Sequence, residues 1–321
     1  MIDNRPPALF LMGPTAAGKT DLAIALVELG SCEIISVDSA QIYRSMDIGT
    51  AKPDAQTLVR APHHLIDICD PAESYSVVQF RRAALATMAE ISQRGKIPLL
   101  TGGTMLYFKS LVEPMADLPE GDQGIRSELA QQMADQGLVG LVAQLAQVDP
   151  VAHARIDLAN PQRVQRALEV FRVSGRPISA FWAEGTHDGR GNLAVGAAEQ
   201  FPYRLLQYGV IPQDRAILHA RIAQRFRWML EQGFEQEVRE LYSRGDLHLD
   251  LPSMRCVGYR QMWHYLDGLI DYDEMIERGI IATRQLAKRQ LTWLRGWPEL
   301  QALDTSAVSS VDYCQQILGQ L

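Results

Sequence analysis

Paired cysteines are missing from this chain. Its 321 residues include four, Cys32, Cys69, Cys256 and Cys314, too far apart for the close spacing that a zinc site or a redox motif requires. Free buried thiols are the expected reading. Long apolar runs are missing too: Met1 to Pro7 is polar, and Ala8 to Met12 is too short for a signal core or a membrane span. A cytoplasmic protein with no membrane association is expected. No internal repeat, low-complexity tract or sustained heptad pattern stands out, so the chain reads as a monomer. An excess of positive charge is absent as well. The net charge of −7 argues at first sight against a nucleic-acid ligand, whose phosphates call for lysine and arginine.

What is present qualifies that last exclusion. From Ile276 to Trp297, Arg278, Arg284, Lys288, Arg289 and Arg295 face Glu277 alone, and from Arg155 to Arg176 five arginines face only Asp157 and Glu169. Two basic stretches on an acidic protein can form a positive cleft, although solvated helix faces are the commoner explanation of such runs. With 47% hydrophobic and 21% charged residues the chain is of ordinary globular composition, long enough for two domains.

The apolar run Ala8 to Met12 leads into a glycine-containing loop, and Asp21 to Val27 continues as a helix. A second strand is expected at Glu33 to Val37, a helix from about Val77 to Arg94, and a strand from Lys96 to Thr101. Strands alternating with helices imply α/β architecture with a parallel sheet covered on both faces. Ligands then bind at the carboxyl ends of the strands, where the Gly13 loop, Asp38 and Thr101 would share one rim. From Pro114 the pattern turns helical to about Glu184, and Gly185 to Gly191 closes it. Strand signal resumes at Tyr203 to Ile211, followed by long amphipathic helices to about Arg295. The expected division is a core of residues 1–113 and 200–321 around a helical insertion of residues 114–199.

Gly13-Pro14-Thr15-Ala16-Ala17-Gly18-Lys19-Thr20 fits G-x-x-x-x-G-K-[ST] between a strand and a helix. Glycines let backbone N–H groups turn toward a phosphate, the helix N-terminus adds partial positive charge, Lys19 adds a full one, and Thr20 can ligate Mg²⁺. Polyphosphate binding follows, but not which polyphosphate. The strand at Ile97 to Leu100 ends in Thr101 and two glycines where a nucleotide hydrolase often carries an acid, although Asp38 can take that part. In Asp38-Ser39-Ala40-Gln41-Ile42-Tyr43, at the start of a turn and helix, two readings stand side by side. Asp38 or Ser39 caps a helix, or Asp38 accepts a proton while Gln41 reads a base edge. His63-His64 lies in a proline-flanked loop suited to local hydrogen bonding.

These motifs together with Pro62-His63-His64-Leu65-Ile66-Asp67, Gly102-Gly103-Thr104, the run from Asn160 to Glu169, Arg255 to Gln261, and Thr283 to Gln290 resemble the tRNA dimethylallyltransferases. The resemblance extends from Leu9 to Trp297; Met105 departs from it, standing where many members have a glycine.

The resemblance implies a P-loop NTPase-like core with a helical insertion domain. It implies transfer of a dimethylallyl group from dimethylallyl pyrophosphate to N6 of the adenine 3′ of the anticodon, adenosine 37 in tRNAs reading codons that begin with U. Gly13, Pro14, Thr15, Ala16, Ala17, Gly18, Lys19 and Thr20 would hold the pyrophosphate with Mg²⁺, Thr20 being the metal ligand. Asp38 would act as base, Thr101 would contact the reacting base or the pyrophosphate, and Arg215 would help neutralise the pyrophosphate. Contacts to the tRNA anticodon stem-loop would come from Asp38, Ser39, Ala40, Gln41 and Thr101, from Gln162, Arg163, Val164, Gln165 and Arg166, from Arg255, Cys256, Val257, Gly258, Tyr259 and Arg260, and from Arg284, Lys288 and Arg289. Each tRNA contact has a plainer rival: Arg163 and Arg166 can pair with acids such as Glu169, and Gly258-Tyr259 can simply cap a helix. Two other functions remain open on residues alone, a phosphate-loop small-molecule kinase using ATP and an RNA-binding module whose loop senses a nucleotide.

Overall fold

The computed structural model describes residues 3–29, 31–113, 116, 118–184, 201–304 and 310–320. Four apolar runs become its central strands, β1 (Pro7–Met12), β2 (Cys32–Val37), β4 (Ile97–Gly102) and β5 (Arg204–Val210). Two short strands, β3 (His63–His64) and β6 (Gln301–Leu303), complete a parallel sheet in the order β3-β2-β4-β1-β5-β6. The central strands are buried along most of their length because side chains on both sheet faces must be covered. On one face Leu9, Leu11, Ile34, Leu99 and Tyr208 pack with Leu22 and Leu26 of α1 (Lys19–Glu28) and with Cys314 and Ile317 of α13 (Ser310–Leu318). On the other, Phe10 meets Phe108 of α4 (Met105–Val112) at 5.0 Å between ring centroids, and Phe108 meets Trp297 edge-on.

The chain divides into two compact units, Met1–Lys109 with Pro202–Leu321, and Ser110–Phe201. The first holds the sheet together with α2 (Ala55–Arg60), α3 (Val77–Gln93), α9 (Arg215–Glu231), α10 (Phe234–Ser243), α11 (Tyr259–Leu266) and α12 (Tyr272–Arg295). In a second core of this unit, Ile222, Phe226, Phe234, Tyr259, Met262 and Ala287 of the late helices enclose Ile42, Tyr43 and Met46. The second unit consists of α5 (Gln123–Val148), α6 (Pro150–Arg155), α7 (Pro161–Ser174) and α8 (Ile178–Glu184) around Leu129, Leu141, Val164 and Leu168. Pro114 and Gly185 to Gly191, taken from sequence as the limits of the insertion, lie outside the described residues. Among the described residues no helix is long and apolar enough to cross a membrane.

Two local expectations are corrected. His63-His64 is an edge strand paired with Ile34 and Ile35. No helix follows Asp38, and the chain runs through successive turns to Ala51. Those turns are held from outside themselves: Glu237 of α10 accepts the N–H groups of Asp47, Ile48 and Gly49 as well as the Tyr259 hydroxyl. Beyond Arg295, where the expected helices end, β6 and α13 close the sheet edge and one face.

Candidate active site

The ends of β1, β2 and β4 are brought level by register, Met12 and Val37 both standing opposite Gly102. That closeness leaves no room for side chains: a Cβ on Gly102 would come within 2.0 Å of the Val37 carbonyl oxygen. The loops leaving these strands open onto a cavity of about 1250 Å³. Small-ligand pockets run to roughly 300–1,000 Å³, so this one has room for a small molecule and part of a larger partner.

Thr15 to Asp21 line one wall. Gly18, at φ 92°, is the N-cap of α1 and contributes no capping side chain, so the first amides of the helix remain donors for an anion. Lys19 lies among them, its Nζ donating to the carbonyl oxygens of Gly13 at 2.9 Å and Pro14 at 2.7 Å. Burial first, and then the neighbouring Arg225 guanidinium, bring its pKa down to about 7, against the opposing pull of the Asp38 carboxylate. A lysine so poised gains charge when an anion arrives.

Asp38 lines the same cavity, with Ser39, Ala40, Gln41, Thr101 and Thr104. Its Oδ1 accepts the N–H groups of Ala40 at 2.8 Å and Gln41 at 3.4 Å, so the carboxylate closes a turn, with no helix there to cap, and also stands at the cavity. Gln41 is held by the protein, its Oε1 accepting from Ser36 Oγ and its Nε2 donating toward the carbonyls of Thr50 and Ala51. Thr101 is buried and donates to the Leu11 carbonyl at 3.3 Å. His63 also lines the cavity, with Nδ1 2.7 Å from the Ala61 carbonyl, and burial lowers its pKa.

The late helices supply the remaining wall. Arg215 is not part of it: it is exposed in the first turn of α9 and does not line the cavity. Two and three turns further on, Arg221 and Arg225 do, and Arg225 Nη2 donates to the Thr15 hydroxyl. Burial lowers the Arg225 pKa, and Asp38 works against that shift. Arg225 was missed from sequence, yet a signal exists. It stands between Ile222 and Met229 on the apolar stripe of α9, and a charged group at a core-facing position requires a partner or a ligand.

Of the residues expected to meet tRNA, Arg255, Cys256, Val257, Tyr259 and Arg289 line the cavity, while Arg260 and Lys288 are exposed away from it. Burial pushes the Cys256 thiol up to about 12, with Asp38 adding to the shift. Gly258, at φ 93°, begins α11 and donates its N–H to Gln261 Oε1, the capping arrangement considered above. Arg284 is half-buried, its Nε lacking a hydrogen-bond acceptor. In the second unit Gln162 and Arg163 are exposed and Gln165 is half-buried. Val164 is fully buried in that unit's core, which removes it from any interface. Arg166 donates to Glu169 at 2.7 Å and to the Pro119 carbonyl at 2.7 Å, the plainer pairing.

Residues 41–297 match the family model described as IPP transferase, and residues 7–68 match that of isopentenyl transferase. The chain belongs to the IPP transferase family. Among solved members, the full-length tRNA isopentenylpyrophosphate transferase of Bacillus halodurans is 34% identical, with 99% of this chain and 97% of that one covered and a TM-score of 0.68. The tRNA delta(2)-isopentenylpyrophosphate transferase of Staphylococcus epidermidis is 30% identical over 98% of both chains, with a TM-score of 0.69. A eukaryotic dimethylallyltransferase acting on tRNA is 25% identical over 98% of this chain and 77% of that one, with a TM-score of 0.77. The P-loop NTPase-like core of the family is the fold described above.

A divalent metal is compatible with the site, though only with few protein ligands. Among the described residues no cluster of three or more His, Cys, Asp or Glu side chains is placed to hold an ion. Thr20, exposed in the first turn of α1, lines the cavity. That donor set suits a hard ion that keeps its waters and binds mainly through phosphate oxygens.

Proposed function

We propose that this protein transfers a dimethylallyl group from dimethylallyl pyrophosphate to N6 of adenosine 37 in tRNAs reading codons that begin with U, releasing diphosphate. The observation that carries the reading is one cavity lined by Lys19, Arg225 and the first residues of α1 together with Asp38. A cationic cradle alone would fit any polyphosphate. A carboxylate beside it supplies a proton acceptor for a weak nitrogen nucleophile, and the family relationship supplies the tRNA.

In the reaction the allylic C1–O bond breaks as the C1–N6 bond forms. The electron pair leaves with the diphosphate oxygen, and the N6 proton passes to Asp38. Negative charge grows on the leaving group, where Lys19, the loop amides and Arg225 are already arranged to receive it. Mg²⁺, with Thr20 as its protein ligand, would neutralise part of the diphosphate charge. Ile222, Met229 and Val257 give the cavity an apolar wall for the five-carbon group. The adenine must leave its stack to enter, at a cost of roughly a few kcal/mol. Arg255, Arg289 and Lys288 in the first unit, and Gln162 and Arg163 in the second, offer exposed groups for RNA contacts that offset it. Four free thiols suit a reducing compartment, and we assign the enzyme to the cytoplasm as a monomer.

Unmodified tRNA incubated with the protein, Mg²⁺ and either dimethylallyl pyrophosphate or ATP tests the reading by mass analysis of nucleosides. The expected product is an adenosine heavier by one dimethylallyl group, formed only with the prenyl donor and abolished by Asp38→Ala while tRNA binding persists. Consumption of ATP with no adduct would transfer the site to a kinase.

A further inference from the structure

One residue of α12 turns away from the basic face and into the phosphate loop. Gln290 is 8% exposed. Its Oε1 accepts the Thr15 N–H at 2.9 Å, and its Nε2 donates to the Gly103 carbonyl at 3.0 Å. The partners leave the amide a single orientation, since a backbone N–H only donates and a carbonyl oxygen only accepts. Gly103 belongs to the same arrangement: a Cβ there would come within 2.2 Å of Gln290 Nε2, so the lack of a side chain at 103 admits the amide. Thr15 is held a second time through its hydroxyl, by Arg225.

The phosphate loop follows β1, the Gly103 turn follows β4, and neither is bonded to α12 by sequence proximity; residues 15 and 290 are 275 positions apart. One neutral side chain joins all three. Glutamate lacks the donor, asparagine is a methylene shorter, and methionine fills the volume with no donor and only a weak thioether acceptor.

We propose that Gln290 is a positioning residue for the diphosphate, clamping the Thr15 amide to the Gly103 turn so that the loop keeps its anion-receiving shape. The Thr15 N–H is thereby committed to the protein, and the anion is left to the amides that open α1 and to Lys19. The clamp also ties the shape of the diphosphate site to α12, the helix that carries Lys288 and Arg289. This rests on the transferase reading for the identity of the anion, not for the geometry.

The test is calorimetric binding of inorganic pyrophosphate to the full chain, with steady-state kinetics on the prenyl donor and an anticodon stem-loop RNA. Gln290→Met should weaken pyrophosphate binding about tenfold, the loss expected for two neutral hydrogen bonds. The KM for the prenyl donor should rise by a similar factor while the KM for RNA stays within about twofold. Gln290→Glu should be worse, since a carboxylate would face the Gly103 carbonyl and add negative charge beside the anion. Gly103→Ala keeps every residue of α12 and should reproduce the methionine phenotype by displacing the Gln290 amide; it carries the test if Gln290→Met does not fold. Unchanged pyrophosphate affinity in folded variants, or a rise confined to the KM for RNA, would overturn the proposal. Because pyrophosphate binding needs no RNA, a wild-type protein that binds it without prenylating tRNA counts against the transferase reading alone.

Discussion

Arg225 donates from Nη2 to the hydroxyl of Thr15 across 210 positions of sequence. The bond joins the third turn of α9 to the phosphate loop and brings a second cation beside Lys19. Arg225→Met should reduce kcat by about 10²–10³-fold, the usual cost of removing a donor aimed at developing charge. Arg215→Ala, altering an exposed residue outside the cavity, should leave turnover within about twofold. Steady-state kinetics on both variants separates the two arginines; equal losses would show that the α9 assignment is wrong.

Lys19 predicts a protonation change on binding. In the free protein its pKa is about 7, and a bound diphosphate stabilises the charged form, raising that value. Between about pH 7 and the ordinary 10.5, binding therefore takes up a proton, and affinity falls as pH rises through the window. The stability of the free protein runs the opposite way. Across that window the unfolded chain holds the proton that the folded protein has released, so this residue's contribution makes stability rise with pH. Calorimetry at pH 8 in buffers of different ionisation enthalpy measures the uptake, and Lys19→Met should abolish it.

Gly279 lies in α12 against Phe226, where an added Cβ would stand 2.2 Å from ring atom Cζ. A glycine-to-alanine change in an exposed helix stabilises by about 1 kcal/mol. Here Gly279→Ala should destabilise by about 1–3 kcal/mol through overpacking, measured as a lower urea midpoint at unchanged slope. A gain in stability would mean that α9 and α12 can separate without cost.

Glu237 holds three backbone amides and the Tyr259 hydroxyl. Glu237→Ala should cost roughly 3 kcal/mol, because each hydrogen bond to a charged acceptor contributes about 1.5–3 kcal/mol and water recovers part of the loss. Proteolysis should then cut first among the turns from Asp47 to Ala51; protection equal to wild type there would refute the anchoring role.

The basic residues divide by their partners. Lys288→Ala and Arg289→Ala should each lower the salt-dependence slope of tRNA binding by about 0.7–0.9. Arg166→Ala, which breaks the contact to the buried Glu169 carboxylate, should leave the slope unchanged and cost roughly 1–3 kcal/mol of stability. Binding titrations between low and moderate salt, with denaturation curves for Arg166→Ala, distinguish them.

The strands, their parallel pairing and the phosphate loop were legible in the residues because each rests on local chemistry. Apolar runs end in loops, Gly13 to Thr20 has the required spacing, and Asp38 directly follows β2. His63-His64 was less legible, since a two-residue strand exists only through its pairing with Ile34 and Ile35. The turns after Asp38 were read partly as a helix because their hydrogen-bond acceptor, Glu237, is contributed by another helix.

The sequence by itself determined the glycine-containing loop that opens α1, the carboxylate at the end of β2, and the basic character of α12, all features whose chemistry is complete within a few consecutive residues. Only the tertiary structure decided which arginine of α9 enters the cavity, that Val164 belongs to a core, and that Gln290 joins Thr15 to Gly103. Each of these depends on which way a side chain faces after distant helices pack, and helical periodicity defines a face without naming what lies opposite it.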